Sequence, residues 1–230
     1  MTSGYRQAFH EDLKALEQEL IEMASLSERQ VADSVEALLN LNVELAEQVI
    51  KNDDPIDVRD MEIEQHCLRI LALQQPMAKD LRTVGVIMKM TTDVERIGDL
   101  GTDIASIAIK LSRLMVGSIP IDIAKMGALA RRMFRESIEA FVKRDLETVD
   151  MVVRSDDEMD QLFRDYRKQI VELMKKYPER VEEASFLLMV VMHLERISDH
   201  AVNIAERVFF METAKLAKFD TREPYPHEEN

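Results

Sequence analysis

Glu95, Asp99 and Asp103 follow one another at four-residue intervals, and Glu195, Asp199 and Asn203 do the same one hundred residues later. If both stretches are helical, positions i, i+4 and i+8 drift by only about 40° per step, so each set lines one face. Like charges at that spacing cost about 0.2–0.5 kcal/mol per pair. Three things can offset the repulsion: a cation, basic side chains, or exposure to water. Arg96 and Arg196 stand three residues before Asp99 and Asp199, within pairing reach on one turn, and an exposed face paired in that way needs no metal. Neither Glu95 nor Glu195 has a basic residue three or four positions away. A cation on these faces would meet oxygen ligands, which suit Fe³⁺, Mn²⁺, Mg²⁺ or Ca²⁺. Zinc accepts carboxylates but prefers Cys or His as company.

Other chemistry finds little footing. A di-iron bundle would show Glu-x-x-His, yet the residues three before the histidines are Gln7, Ile63, Val190, Ile197 and Pro224. There is no glycine-rich phosphate loop, no Gly-x-Ser-x-Gly and no His-Glu-x-x-His, so no nucleophile is set beside a base and the chain reads as a non-enzyme. His66, His193 and His200 read as surface or core histidines. His200 adjoins Asp199, but its side chain leaves the helix about 100° away. The single cysteine, Cys67, reads as a small apolar filler. Without an internal disulfide, a signal-peptide core or an 18-residue apolar run, the expected location is the cytoplasm, with no membrane insertion. The net charge of −14 opposes nucleic acid and anionic bilayers, and suits solubility, cation binding or basic protein partners.

The elements that must position these groups are helices. Gly and Pro number only six each in 230 residues, and Leu, Met, Ala, Glu and Lys are common. Pro55, Pro76, Pro120 and Pro178 punctuate long periodic segments. The pattern predicts six helices, over about 8–51, 55–74, 78–112, 119–147, 149–175 and 178–216, with a turn at MVGSIP and a polar tail at 217–230. The halves repeat. Ser34-Val-Glu-Ala37 matches Ser137-Ile-Glu-Ala140, and VIKNDDPID (49–57) matches VVRSDDEMD (152–160), both offset by 103; Glu95-Arg-Ile-x-Asp99 matches Glu195-Arg-Ile-x-Asp199, offset by 100. The fold expected is therefore all-α: two tandem three-helix bundles, 1–116 and 117–216, related by pseudo-twofold symmetry. Counting back from the loops near Pro76 and Tyr177 sets Glu95 and Asp99 level with Asp53, Asp54, Asp57 and Asp60, and sets Glu195 and Asp199 level with Asp156, Asp157 and Asp160. From these stretches Asp57 and Asp160 are the expected partners across each bundle. The Met-rich runs VIMKM (86–90) and LLMVVMHL (187–194) read as core beside the motif.

The duplicated Glu-Arg-Ile-x-Asp, the DDPID and DDEMD segments and QQPMAKDLRTV (74–84) resemble the PhoU family over about residues 8–212. The resemblance implies a regulator that restrains the phosphate-starvation response, the Pho regulon, when phosphate is plentiful. Such a regulator acts between the Pst phosphate importer, through its ATPase PstB, and the sensor kinase PhoR, and is usually a homodimer. It also implies an iron or zinc cluster, or another divalent cation such as Mg²⁺ or Mn²⁺, on Glu95, Asp99 and Asp103, and on Glu195, Asp199 and Asn203, to which the level count adds Asp57 and Asp160. Asn203 departs from an acidic third position, so the first site is expected to hold a cation more tightly. Family members often carry Arg where this chain has Gln74. Two other readings compete: a carboxylate-bundle metalloenzyme or iron store, and a ligand-free helical scaffold of spectrin type.

Overall fold

The computed structural model describes residues 2–114 and 119–219, with side chains from residue 7 onward. Within them lie seven α-helices: α1 (Thr2–Asn40), α2 (Val43–Lys51), α3 (Asp54–Gln74), α4 (Lys79–Leu114), α5 (Ile123–Lys143), α6 (Leu146–Lys176) and α7 (Val181–Thr213). A 3-10 turn, Pro178–Arg180, leads into α7, and no strand occurs among the described residues. The expected bundle boundary at 116–117 and most of the MVGSIP turn lie outside the described residues, as do residues 220–230 of the expected tail. The first residues of that tail are not loose. Phe219 sets its ring edge-on against Phe209 at 5.3 Å and its backbone N–H donates to Glu206 Oε1 at 2.7 Å.

Several helix boundaries shift by a few residues from the sequence expectation, with the fourth expected helix trimmed to Ile123–Lys143, and one differs in kind. The first helix does not run to residue 51; it ends at Asn40, and Leu41 turns the chain with a φ of 49°. Asn42 then caps α2 by accepting from the Leu45 N–H. The repeat makes sense of this turn. At the same 103-residue offset, Arg144 turns the chain with a φ of 57° and Asp145 caps α6 by accepting from the Glu147 and Thr148 N–H groups. The helix after the turn is broken in the first half and continuous in the second. Pro55, in the first turn of α3, cannot donate a helical hydrogen bond, and the chain breaks before it at Asn52–Asp53. Glu158 stands in the equivalent place, and α6 runs through.

Each half is a three-helix bundle: α1, the α2–α3 arm and α4, then α5, α6 and α7. The core holds Leu16, Leu20, Met23 and Leu38 of α1, Ile63 and Ile70 of α3, and Ile87, Met90, Val94 and Ile97 of α4. Phe134 and Phe141 of α5 and Leu187, Val191 and Leu194 of α7 fill the second bundle. Removing such surfaces from water contributes about 1.5–3 kcal/mol per large side chain. The Met-rich runs divide between core and surface: Met90 is buried, whereas Met189 and Met192 are exposed.

The bundles lie side by side, joined mainly by α4 against α7 and by α1 against α5. One end is latched by the QQPMAKDLRTV segment. Lys79 pairs with Glu212 at 2.9 Å, and Arg82 Nε donates to the Met211 carbonyl at 3.3 Å. Arg144 adds contacts to Glu17 and Met211. Gln74 lies by Asp12, its amide donating at 3.4 Å.

Two glycines bring α4 close to its neighbours where the acidic motif sits. A Cβ on Gly98 would meet Ile56 Cδ1 at 3.0 Å, and one on Gly101 would meet the Val31 backbone N at 3.2 Å. The equivalents in the second half are Ser198 and Ala201.

Candidate functional site

The first acidic face forms where the start of α3 lies level with the middle of α4. Asp57, Glu95 and Asp99 each direct a carboxylate oxygen into one cluster, with those oxygens within 4.8 Å of one another. Pro55 starts α3 here and so fixes where Asp57 emerges. Arg96 lies over the edge of the cluster, 3.0 Å from Asp99 and 3.4 Å from Glu95. No basic residue stands three or four positions from Glu95; its immediate neighbour supplies one. Arg96 does not cancel the charge. Partial burial and the Asp99 charge hold the Glu95 carboxyl above its ordinary range, and burial with the Asp53 charge does the same to Asp99. Asp60 is also raised, by burial and the nearby Glu64 and Asp57 charges.

Asp103 is not one of the three clustered carboxylates. It is exposed, and its charge falls on Asp99 and on His193 of α7. Asp53, expected only as part of the acidic stretch level with Asp99, is the neighbour that takes a defined place. Its Oδ1 accepts from Gln30 Nε2 at 2.7 Å and from Thr102 Oγ1 at 2.9 Å. Gln30 Nε2 also lies 2.8 Å from Thr102 Oγ1, which closes a triangle of side chains from α1, α4 and the start of the α3 arm. Gln30 itself is only 4% exposed.

The second face is built from α6 and α7. Asp156, Asp160, Glu195 and Asp199 share one field, but no three of them bring ligand atoms as close as the first cluster does. Burial, then the charges of Asp199 and Asp160, push Asp156 up to about 7. Burial and the Asp199 charge push Glu195 up to about 7 as well. Asp199 is raised by burial, with His200 opposing. The expected Arg196–Asp199 ion pair is not formed within 4.0 Å; Arg196 acts on Glu195 and Asp199 through its charge alone. Asp156 is the member that the expected site omitted. It stands at the same offset from Asp53 as Asp160 does from Asp57, and that symmetry was readable in VIKNDDPID and VVRSDDEMD.

Asn203, expected on this face, turns elsewhere. Its Nδ2 donates to Asp93 Oδ1 of α4 at 3.3 Å, where His200 Nδ1 also binds at 2.9 Å. Asp93 is buried in the seam between the bundles, and a buried carboxylate draws whatever donors reach it. Asn203 therefore braces α7 against α4. The repeat-equivalent of Asp93 is His193, whose buried Nδ1 has no hydrogen-bond partner and whose pKa burial lowers. The other candidates are quiet. His66 is buried against Glu19, 2.9 Å away, and Cys67 is buried with its thiol pushed up to about 12, too high for thiolate chemistry.

Fold and site together define a duplicated all-helical bundle protein with an acidic face at equivalent places in each half. The family model described as the PhoU domain matches residues 20–108 and 123–208, one copy per bundle. The chain belongs to the PhoU family. A phosphate-specific transport system accessory protein PhoU homolog from Clostridium acetobutylicum is 35% identical over 211 residues, 91% of this chain and 96% of its own. The homolog so named from Pseudomonas aeruginosa is 33% identical over 214 residues, 92% and 88% of the two chains. The crystal structure of PhoU from Pseudomonas aeruginosa superposes with a TM-score of 0.86 at 33% identity, covering 90% of this chain and 100% of that one. The crystal structure of the phosphate transport system regulatory protein PhoU from Streptococcus pneumoniae gives 0.85 at 30% identity, covering 91% and 99%. Among the described residues no helix is long and apolar enough to cross a membrane.

Proposed function

We propose that this chain is a cytoplasmic, homodimeric accessory protein of phosphate uptake, a negative regulator that couples the Pst importer, through PstB, to the sensor kinase PhoR. It is a regulator rather than an enzyme. The observation that carries this reading is the match of both halves to the PhoU domain, together with relatives named as phosphate-transport accessory proteins over nine-tenths of the chain. The net charge of −14 favours basic protein surfaces as partners.

The acidic faces are cation sites in this reading. The donor set fits: Asp57, Glu95 and Asp99 converge to within 4.8 Å, and burial together with neighbouring carboxylate charge raises Glu95 and Asp99 despite Arg96. Oxygen-only ligation suits iron, manganese or magnesium better than zinc. Asp57, Glu95 and Asp99 would hold the ion in bundle one, with Asp156, Asp160, Glu195 and Asp199 as the group in bundle two. With an ion held there, the cluster's charge would be neutralised and the second helical arm of a bundle would be tied to its third. The adaptor role is tested by co-purification from phosphate-replete cells. Recovery of an ABC-transporter ATPase or a histidine kinase with the tagged protein supports it, and recovery of neither contradicts it.

A further inference from the structure

The two acidic faces differ in a way that the motif itself does not reveal. In bundle one, Asp53 is held by two donors, Gln30 Nε2 at 2.7 Å and Thr102 Oγ1 at 2.9 Å, both on Oδ1. Held there, Asp53 lies within charge range of the cluster: its charge is felt by Asp99, and that of Asp57 is felt by Asp53. The position is also locked from behind. Gly101 keeps α4 close to α1 beside this contact: a Cβ there would meet Gln30 Cγ and the Val31 backbone N at 3.2 Å.

In bundle two, the repeat-equivalent of Asp53 is Asp156, but those of Gln30 and Thr102 are Met133 and Val202, both buried and neither a donor. The Asp156 side chain makes no hydrogen bond among the described residues, although it is half-buried rather than a free surface group. The exchange is coordinated: both donors, from two different helices, are replaced by apolar side chains around a retained aspartate. A carboxylate held by outer partners pays less conformational entropy on binding an ion, and loss of such partners typically costs about 10–100-fold in metal affinity.

We infer that Gln30 and Thr102 are positioning residues that hold Asp53 ready as a further carboxylate of the bundle-one face, and that bundle two, lacking them, is the weaker and adjustable cation site. This rests on the cation reading above. It also relocates the asymmetry between the sites, from Asp103 against Asn203 to Gln30 and Thr102 against Met133 and Val202.

The test is a titration of the full chain with manganese(II) alone, reading free ion by electron paramagnetic resonance, with circular dichroism and melting recorded for every variant. The wild type shows two classes of site separated by about tenfold or more. Gln30→Met with Thr102→Val weakens the tight class by about tenfold and leaves the weak class unchanged. Met133→Gln with Val202→Thr tightens the weak class toward the other. If the first double variant does not fold, Thr102→Val carries the test, being close to isosteric; it weakens the tight class by about threefold or more, and Thr102→Ser restores it. Two classes that neither exchange moves overturn this inference and leave the cation reading standing. No manganese binding by the wild type overturns both.

Discussion

His200 of α7 places Nδ1 2.9 Å from Asp93 Oδ1 of α4, and Asn203 donates to that same oxygen from the next turn. Asp93 is 7% exposed, so this oxygen is served by the opposite bundle rather than by water. The contact lies two residues from Glu95 on one helix and one residue from Asp199 on the other. The seam between the bundles and the acidic faces are thus built on the same turns of α4 and α7.

Asp93→Ala leaves His200 and Asn203 without their acceptor. Unfolding in urea should show a loss of about 1 kcal/mol or more, the penalty of half-buried donors left unpaired. Asp93→Asn retains an acceptor oxygen and should lose less. Equal losses for both substitutions would mean that packing alone, not the shared acceptor, holds the seam.

The raised carboxyls predict a pH dependence. A carboxyl with a higher pKa in the folded chain than in the unfolded one makes the folded chain the better proton binder between those values. Stability therefore falls as pH rises through that window. For Asp156 the window runs from the ordinary value of 3.8 to about 7, and for Glu195 from 4.5 to about 7. Free of divalent ions, the protein should melt at a lower temperature at pH 8 than at pH 5.5. Asp156→Asn should recover about 1–2 kcal/mol at pH 8, after discounting for solvent screening, and should flatten the profile. A profile that Asp156→Asn leaves unchanged would place the titration elsewhere.

Gly101→Val tests the close approach of α4 to α1. The obstacle is the Val31 backbone at 3.2 Å, which a side chain's rotation cannot relieve. Overpacking of this kind costs about 1–3 kcal/mol, measured as a shifted denaturation midpoint. The same substitution at the second-half equivalent, Ala201→Val, should cost less if the closeness is particular to bundle one.

The sequence made the broad architecture legible because helix periodicity, proline punctuation and a duplicated motif agree with one another. Counting back from Pro76 also brought Asp57 level with Glu95 and Asp99, since helix rise is constant. What escaped it has physical causes. The turn at Leu41–Asn42 hides inside a helix-forming run; only the match of Asn42 to Asp145 across the repeat could have exposed it. Asn203 obeyed the four-residue spacing but was drawn away by Asp93, a contact between bundles that spacing within one helix cannot contain. Gln30 lies far from the motif in sequence and reaches Asp53 only through the packing of α1.

The measurement that bears most directly on the acidic faces is elemental analysis of the protein purified without chelator, beside Glu95→Gln with Asp99→Asn. The account predicts stoichiometric iron, manganese or another divalent ion in the wild type. It predicts loss of the bundle-one share in the double variant, with the rest retained and the fold intact by circular dichroism. A wild type devoid of metal that also takes up none on dialysis against these ions, or a double variant with its full metal content, would contradict it.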